Sequence, residues 1–151
     1  MSRPSIRGVT SSLLALLVLS ACGTTGRSAD YALAHTPALD DLTDGSWTAH
    51  RIEDPNRDIV QGSTITLSFV DHALAANGGC NILRGPAAIN DDKLVVGKMA
   101  STLKACPEPL QAQDEWLASF LTSSPTIERQ SNDLWLTRDD TLIHFTATDD
   151  T

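Results

Sequence analysis

Over the last two thirds of the chain, apolar and polar residues alternate in short runs. Thr64-Ile65-Thr66-Leu67-Ser68-Phe69 is the cleanest, with Ile65, Leu67 and Phe69 on one face and hydroxyls on the other, the pattern of a half-buried antiparallel strand. Comparable runs predict strands over residues 47–52, 72–76, 81–84, 87–89 and 94–96, then over 126–129, 134–137 and 141–146. Asn77-Gly78-Gly79, Asn90-Asp91-Asp92, Ser131-Asn132-Asp133 and Arg138-Asp139-Asp140 supply the turns. One stretch has helical period instead. Pro107 and Pro109 suit only a first turn, Glu108 favours the positive end of the dipole, and Leu110, Leu117 and Leu121 form a stripe flanked by Trp116 and Phe120. Runs of strands around a single helix predict an α+β fold, since a parallel sheet requires strands and helices in alternation.

The first residues follow a different logic. Arg3 and Arg7 give a positive start, and an apolar run over residues 13–19 follows. The run is shorter than the roughly 20 residues needed to cross a bilayer but fits the apolar region of a signal peptide. It closes on Leu19-Ser20-Ala21-Cys22, which resembles the lipobox of bacterial lipoproteins, in which cleavage precedes a cysteine acylated on sulfur. The plainer alternative is an ordinary signal peptide with Cys22 a spectator. Residues 1–21 are thus expected as a lipoprotein signal peptide and residues 22–44, small, polar and acidic, as the lipidated cysteine and a flexible tether. A 22-residue coil reaches about 25 Å. Tyr31, Leu33 and Leu39 could instead pack as a short helix. Residues 45–147 are expected to fold.

Charge and composition remove several functions. Lys+Arg 11 against Asp+Glu 19 gives −8, and loss of Arg3 and Arg7 takes the net charge to about −10, so neither nucleic acid nor an anionic lipid surface is an expected partner. The membrane would be reached through the acyl anchor at Cys22. With Cys22 so used, Cys80 and Cys106 are an even pair, and in an oxidising compartment pairing is the default. A loop of about 27 residues closed this way constrains the unfolded chain by roughly 3.5 kcal/mol in the entropic account.

Catalytic and metal readings find little support. A Cys-His nucleophile combining Cys80 or Cys106 with His72 or His144 would lose its thiolate to the disulfide. The cysteines and four scattered histidines show no zinc-ligand spacing. Glu108, Asp114 and Glu115 read as the solvated face of the helix, and Gly78-Gly79 as a turn needing positive φ. No catalytic residue, metal or cofactor is expected.

Several segments together resemble a known family. Gly45-Ser46-Trp47, the strand at 64–69, Gly79-Cys80-Asn81, then Met99-Ala100-Ser101-Thr102 leading to Ala105-Cys106-Pro107, the helix ending Trp116-Leu117-Ala118-Ser119-Phe120-Leu121, and Leu134-Trp135-Leu136 match a META (HslJ-like) domain in order and spacing over residues 45–145. Gly79, Cys80 and Asn81 with Met99, Thr102, Ala105, Cys106 and Pro107 carry the most specific part. The chain departs from the family after Gly85, with Pro86-Ala87 where a tyrosine is common two positions on. The resemblance implies an antiparallel sheet curled into an incomplete (cracked) barrel around one amphipathic helix, often on secreted lipoproteins. It further implies association with envelope stress and antibiotic tolerance, and it offers no catalytic residue to carry over. The expected function is therefore a lipid-anchored, extracytoplasmic envelope protein that binds or supports another envelope protein, not an enzyme. The rival expectation is a binder of a small apolar ligand in the barrel mouth, with a hydrolase a distant third. A barrel filled by Trp47, Leu67, Phe69, Leu117 and Leu121 would favour the first over the second.

Overall fold

Leu67 and Phe69 turn inward and Thr66 and Ser68 outward, as their alternation requires, in a computed structural model that describes residues 33–148. The elements run β1 (Ser46–Glu53), β2 (Thr66–Val70), β3 (Ala73–Asn77), β4 (Ile82–Asn90), β5 (Lys93–Val96), β6 (Ala100–Ser101), α1 (Glu108–Thr122), β7 (Thr126–Gln130), β8 (Asp133–Arg138) and β9 (Thr141–Thr148), with a 3-10 turn at Leu39–Leu42 ahead of them. Every pairing is antiparallel. The order β3-β2-β1-β9-β8-β7-β5-β4 returns on itself through a β3–β4 pairing, so eight strands make a ring and β6 adds to β4 outside it.

The barrel is therefore closed, where an incomplete one was expected. Closure is uneven. β1 and β9 pair along almost their full length, from Ser46↔Thr148 to Glu53↔Leu142, whereas β5 and β7 share the single pair Lys93↔Thr126. Two flanking bonds, Leu94 N–H to the Pro125 carbonyl and Ile127 N–H to that of Asp92, both 2.9 Å, complete this seam. In β1 the register shifts between Ala49 and Arg51, so His50 and Arg51 both face solvent and Ile52 returns to the core.

Eight strands leave an interior just wide enough for side chains. Trp47, Leu67, Phe69, Leu74, Leu94, Ile127, Leu134, Leu136, Ile143 and Phe145 fill it, each at most 2% exposed. The helix does not run through the barrel. Its inner face, Gln113, Asp114, Leu117, Phe120 and Leu121, is buried against the sheet, while Gln111, Ala112, Glu115, Ser119 and Thr122 face solvent.

Two expectations about strands and turns are refined. The strands expected at 81–84 and 87–89 are one, β4, because Pro86 sits where β4 exchanges β3 for β5 as its partner. There Ala87 N–H donates to the His72 carbonyl (2.8 Å) and Gly97 N–H to the Pro86 carbonyl (2.9 Å), so the missing proline donor interrupts neither strip. The β2–β3 turn is made by Asp71 and His72, φ +49° and +60°, the two-residue reversal whose twist suits a hairpin.

The expected tether also ends sooner than residue 44. His35 exchanges backbone bonds with Arg129 of β7 (2.9 and 2.8 Å), along an edge that β5 covers at only one residue. Pro37 is buried, Leu42 is fully buried, and its carbonyl accepts the Trp47 indole N–H at 3.1 Å. The Arg129 guanidinium lies 5.2 Å from the Trp47 ring and donates to the Asp41 carbonyl. Residues 35–44 thus belong to the domain, and Leu39 packs through the 3-10 turn. The expected signal peptide, Cys22 and the start of the tether lie outside the described residues.

Leu117, fully buried between helix and barrel, is the sensitive point of this packing. Leu117→Ala should lower stability by about 2–5 kcal/mol in urea unfolding, with the m-value unchanged. Leu103→Ala, at a side chain 98% exposed, should stay within about 0.5 kcal/mol of the parent.

Candidate functional site

The residues that carry the family resemblance meet where the turn between β3 and β4 touches the first turns of α1. Gly78 and Gly79 make the approach possible for different reasons. A Cβ on Gly78 would lie 2.5 Å from Asp114 Oδ1 and 3.0 Å from Asp114 Cα, so only glycine lets the turn lie against the helix. Gly79 has φ +114°, outside the range L side chains adopt. Positive φ was expected of the pair; the close approach at Gly78 was not. The next residue, Cys80, is bonded to Cys106 just ahead of the helix, with Cα atoms 6.2 Å apart.

Asn81 links the parts. Its backbone N–H (2.8 Å) and side-chain amide (3.1 Å) both donate to Asp114 Oδ2. Its amide oxygen accepts from the Thr102 hydroxyl and the Lys104 N–H, each at 2.9 Å. Thr102 in turn accepts the Ile82 N–H at 3.0 Å. The segment from β6 to the helix is thus held against β4 by one amide, one hydroxyl and the backbone bond from Thr102 N–H to the Ile82 carbonyl (3.1 Å). On the preceding helical position Gln113 donates to the Gly78 carbonyl and to Ser63 Oγ (2.9 Å) and accepts from Val60 N–H (2.7 Å). That connects the loop between β1 and β2 to the same junction.

Asp114 is therefore not on the solvated face, as expected, but 3% exposed. Its Oδ2 is well satisfied; its Oδ1 has no hydrogen-bond partner among the described residues. A buried carboxylate oxygen left this way is costly. Glu108 and Glu115 do face solvent, Glu115 accepting from Gln111 at 3.0 Å, so the three acids do not form an acid/base pair.

Sequence reasoning missed Gln113 and Asp114, although their spacing held the signal. They fall three and four residues after Leu110 and four and three before Leu117, on the stripe assigned to the core. The histidines stand apart from the cysteines. His72 lies in the β2–β3 turn, and His144 bonds Asp133 Oδ1 at 2.7 Å and stacks on Trp135, ring centroids 5.3 Å apart.

Beside this junction, outside the barrel, runs a groove of about 510 Å³ between β6 with its following segment and the helix. Leu83, Met99, Leu103, Ala105 and Ala118 give it an apolar lining, and Lys104 and Glu115 stand on opposite sides. β3 occupies one side of β4 over Ile82–Pro86, so β6 must lie on the other, in line with β5, and it is the last strand of the sheet order.

A family model for the META domain matches residues 40–150. This chain belongs to the META domain family. The match begins within the 3-10 turn, in agreement with its packing against the barrel. Among solved structures, an NMR structure of a protein from Burkholderia xenovorans is similar at 23% identity and TM-score 0.60, over 78% of this chain and 93% of that one. A second NMR structure is similar at 17% identity and TM-score 0.58, over 75% and 97%. The crystal structure of a DUF4847 family protein from Bacteroides vulgatus is similar at 12% identity and TM-score 0.53, over 74% and 98%. These likenesses establish the fold. No curated protein matches the chain. Neither the family nor these neighbours supplies a reaction.

Two substitutions test the junction. Gly78→Ala should cost about 1–3 kcal/mol by overpacking the turn against Asp114, whereas Gly62→Ala, where a Cβ meets nothing within 4 Å, should cost only its φ strain. Cys80→Ser should lower stability by about 2–5 kcal/mol, and adding Cys106→Ser should lower it little further, because both remove one bond.

Proposed function

We infer that this META-domain protein is a lipid-anchored, extracytoplasmic binding module without enzymatic activity, held at the membrane by acylated Cys22 and acting on another envelope protein. The observation that carries the reading is where the polar groups go. Apart from Asp114 Oδ1, the side-chain polar groups of Asn81, Thr102, Gln113 and Asp114 are spent on one another, on Ser63 and on backbone, and what they build is an apolar groove beside a sheet edge that is free among the described residues. An extended segment of a partner suits such a place, since its main chain pairs with the edge of β6 while an apolar side chain enters between Met99 and Ala118. The interior, filled by Trp47, Leu67 and Phe69 with Leu117 and Leu121 of the helix packed against it, speaks against a ligand in the barrel mouth.

Anchor and groove are tested separately. Cys22→Ala should move the protein from the detergent phase to the aqueous phase of extracted cells; unchanged partitioning would overturn the anchor. A photo-crosslinking residue at position 103 should give a discrete adduct in intact cells, and one at Val70, 60% exposed on the far hairpin, should not. Equal labelling from both positions, or none at 103, would overturn the groove as the contact.

A further inference from the structure

The disulfide is part of a closer cluster than a staple requires. Cys80 Sγ, Cys106 Sγ and a carboxylate oxygen of Asp114 all lie within 4.8 Å of one another. We propose that reduction of Cys80–Cys106 opens a binding site for one thiophilic divalent cation of the zinc class, with the two thiolates and Asp114 as its protein ligands.

The spacing suits the chemistry. Zinc takes thiolate sulfur at about 2.3 Å and carboxylate oxygen at about 2.0–2.2 Å, which in a tetrahedron sets donors roughly 3.5–3.8 Å apart. That is within the present span of the cluster once the sulfurs separate from bonding distance. The carboxylate is already in place and under-used: Asp114 is 3% exposed, and its Oδ1 has no hydrogen-bond partner among the described residues. Cation charge beside the carboxylate would offset the cost of burying it. The surroundings are those of a ligand support as well. Asn81 donates one amide both to Asp114 Oδ2 (3.1 Å) and to Cys106 Sγ (3.2 Å), which orients the acid and favours sulfur as thiolate. Both cysteines are partly exposed, and their neighbours Asn81 and Ala105 line the groove together with Asp114, so reductant and metal have a way in.

The step balances with a dithiol as reductant. The Cys80–Cys106 bond accepts two electrons and two protons, the dithiol loses them and closes to its own disulfide, and the cation then displaces the two thiol protons to solvent. A metal crosslink replaces a covalent one between the same turn and the same helix. While the disulfide is closed the sulfurs are not thiolates and the cluster has no comparable affinity.

Cobalt(II) is the probe, added to the full-length chain after reduction by a phosphine and removal of excess reagent. The reduced protein should bind one equivalent with thiolate-to-cobalt charge-transfer absorption and a tetrahedral visible band, and zinc should bleach both. The oxidised protein should show neither. Asp114→Asn should weaken cobalt binding by about tenfold or more, and Cys80→Ser or Cys106→Ser should abolish the charge-transfer band. Since the Asp114 variant could fail to fold, the wild-type comparison stands by itself: no charge-transfer band in the reduced protein overturns the proposal. An equal response from the oxidised protein also overturns it. Undiminished affinity in a folded Asp114→Asn variant overturns the assignment of Asp114.

Discussion

The contact of Asp114 with the turn at Gly78–Asn81 is what the rest of the junction depends on. A carboxylate taken out of water must be met by donors, and Asn81 meets it twice, with backbone and side chain. To deliver both donors the turn must press against the helix, which excludes any side chain at Gly78 and requires positive φ at Gly79. The disulfide next to it then fixes the helix start, and the other end of the Asn81 amide fixes Thr102 and Lys104. The spaced residues Gly79-Cys80-Asn81, Thr102 and Ala105-Cys106-Pro107 are therefore one physical object, the polar joint between a barrel and its helix.

That joint explains why the groove has a fixed shape. One wall is the helix, placed by Asp114 and Gln113; the other is the segment after β6, held to β4 by Thr102 and Asn81. Little of this wall is regular structure, and β6 has only two residues. Without side-chain bonds a segment with Leu103 in solvent would have no reason to hold one conformation.

Much of the barrel was legible in the chain because period-two alternation depends only on which face is wet. Residues 64–69 and 134–137 show it plainly, and polar turn residues mark the boundaries between β4 and β5, β7 and β8, and β8 and β9. Ring closure was not legible, since the β3–β4 return and the one-pair seam at Lys93↔Thr126 are set by tertiary packing and not by any local pattern. The tether boundary was misplaced because Leu42 sits among Asp40, Asp41, Thr43 and Asp44, where a single buried leucine leaves no periodicity. Asp114 was misplaced for a related reason: a charged residue on a helix is usually read as wet, and its partner lies 33 positions away.

The longest pairing in the sheet, β1 with β9, joins Ser46 to Thr148 and so spans nearly the whole described chain. A polypeptide emerging from its N-terminus, through a ribosome or a translocation pore, cannot form that pairing until its final strand is free. Until then β1 has β2 on one side and an unpaired, partly apolar edge on the other, with Trp47 and Ile52 uncovered. Vectorial folding is thus blocked by topology, and the ring stays open until β9 has emerged.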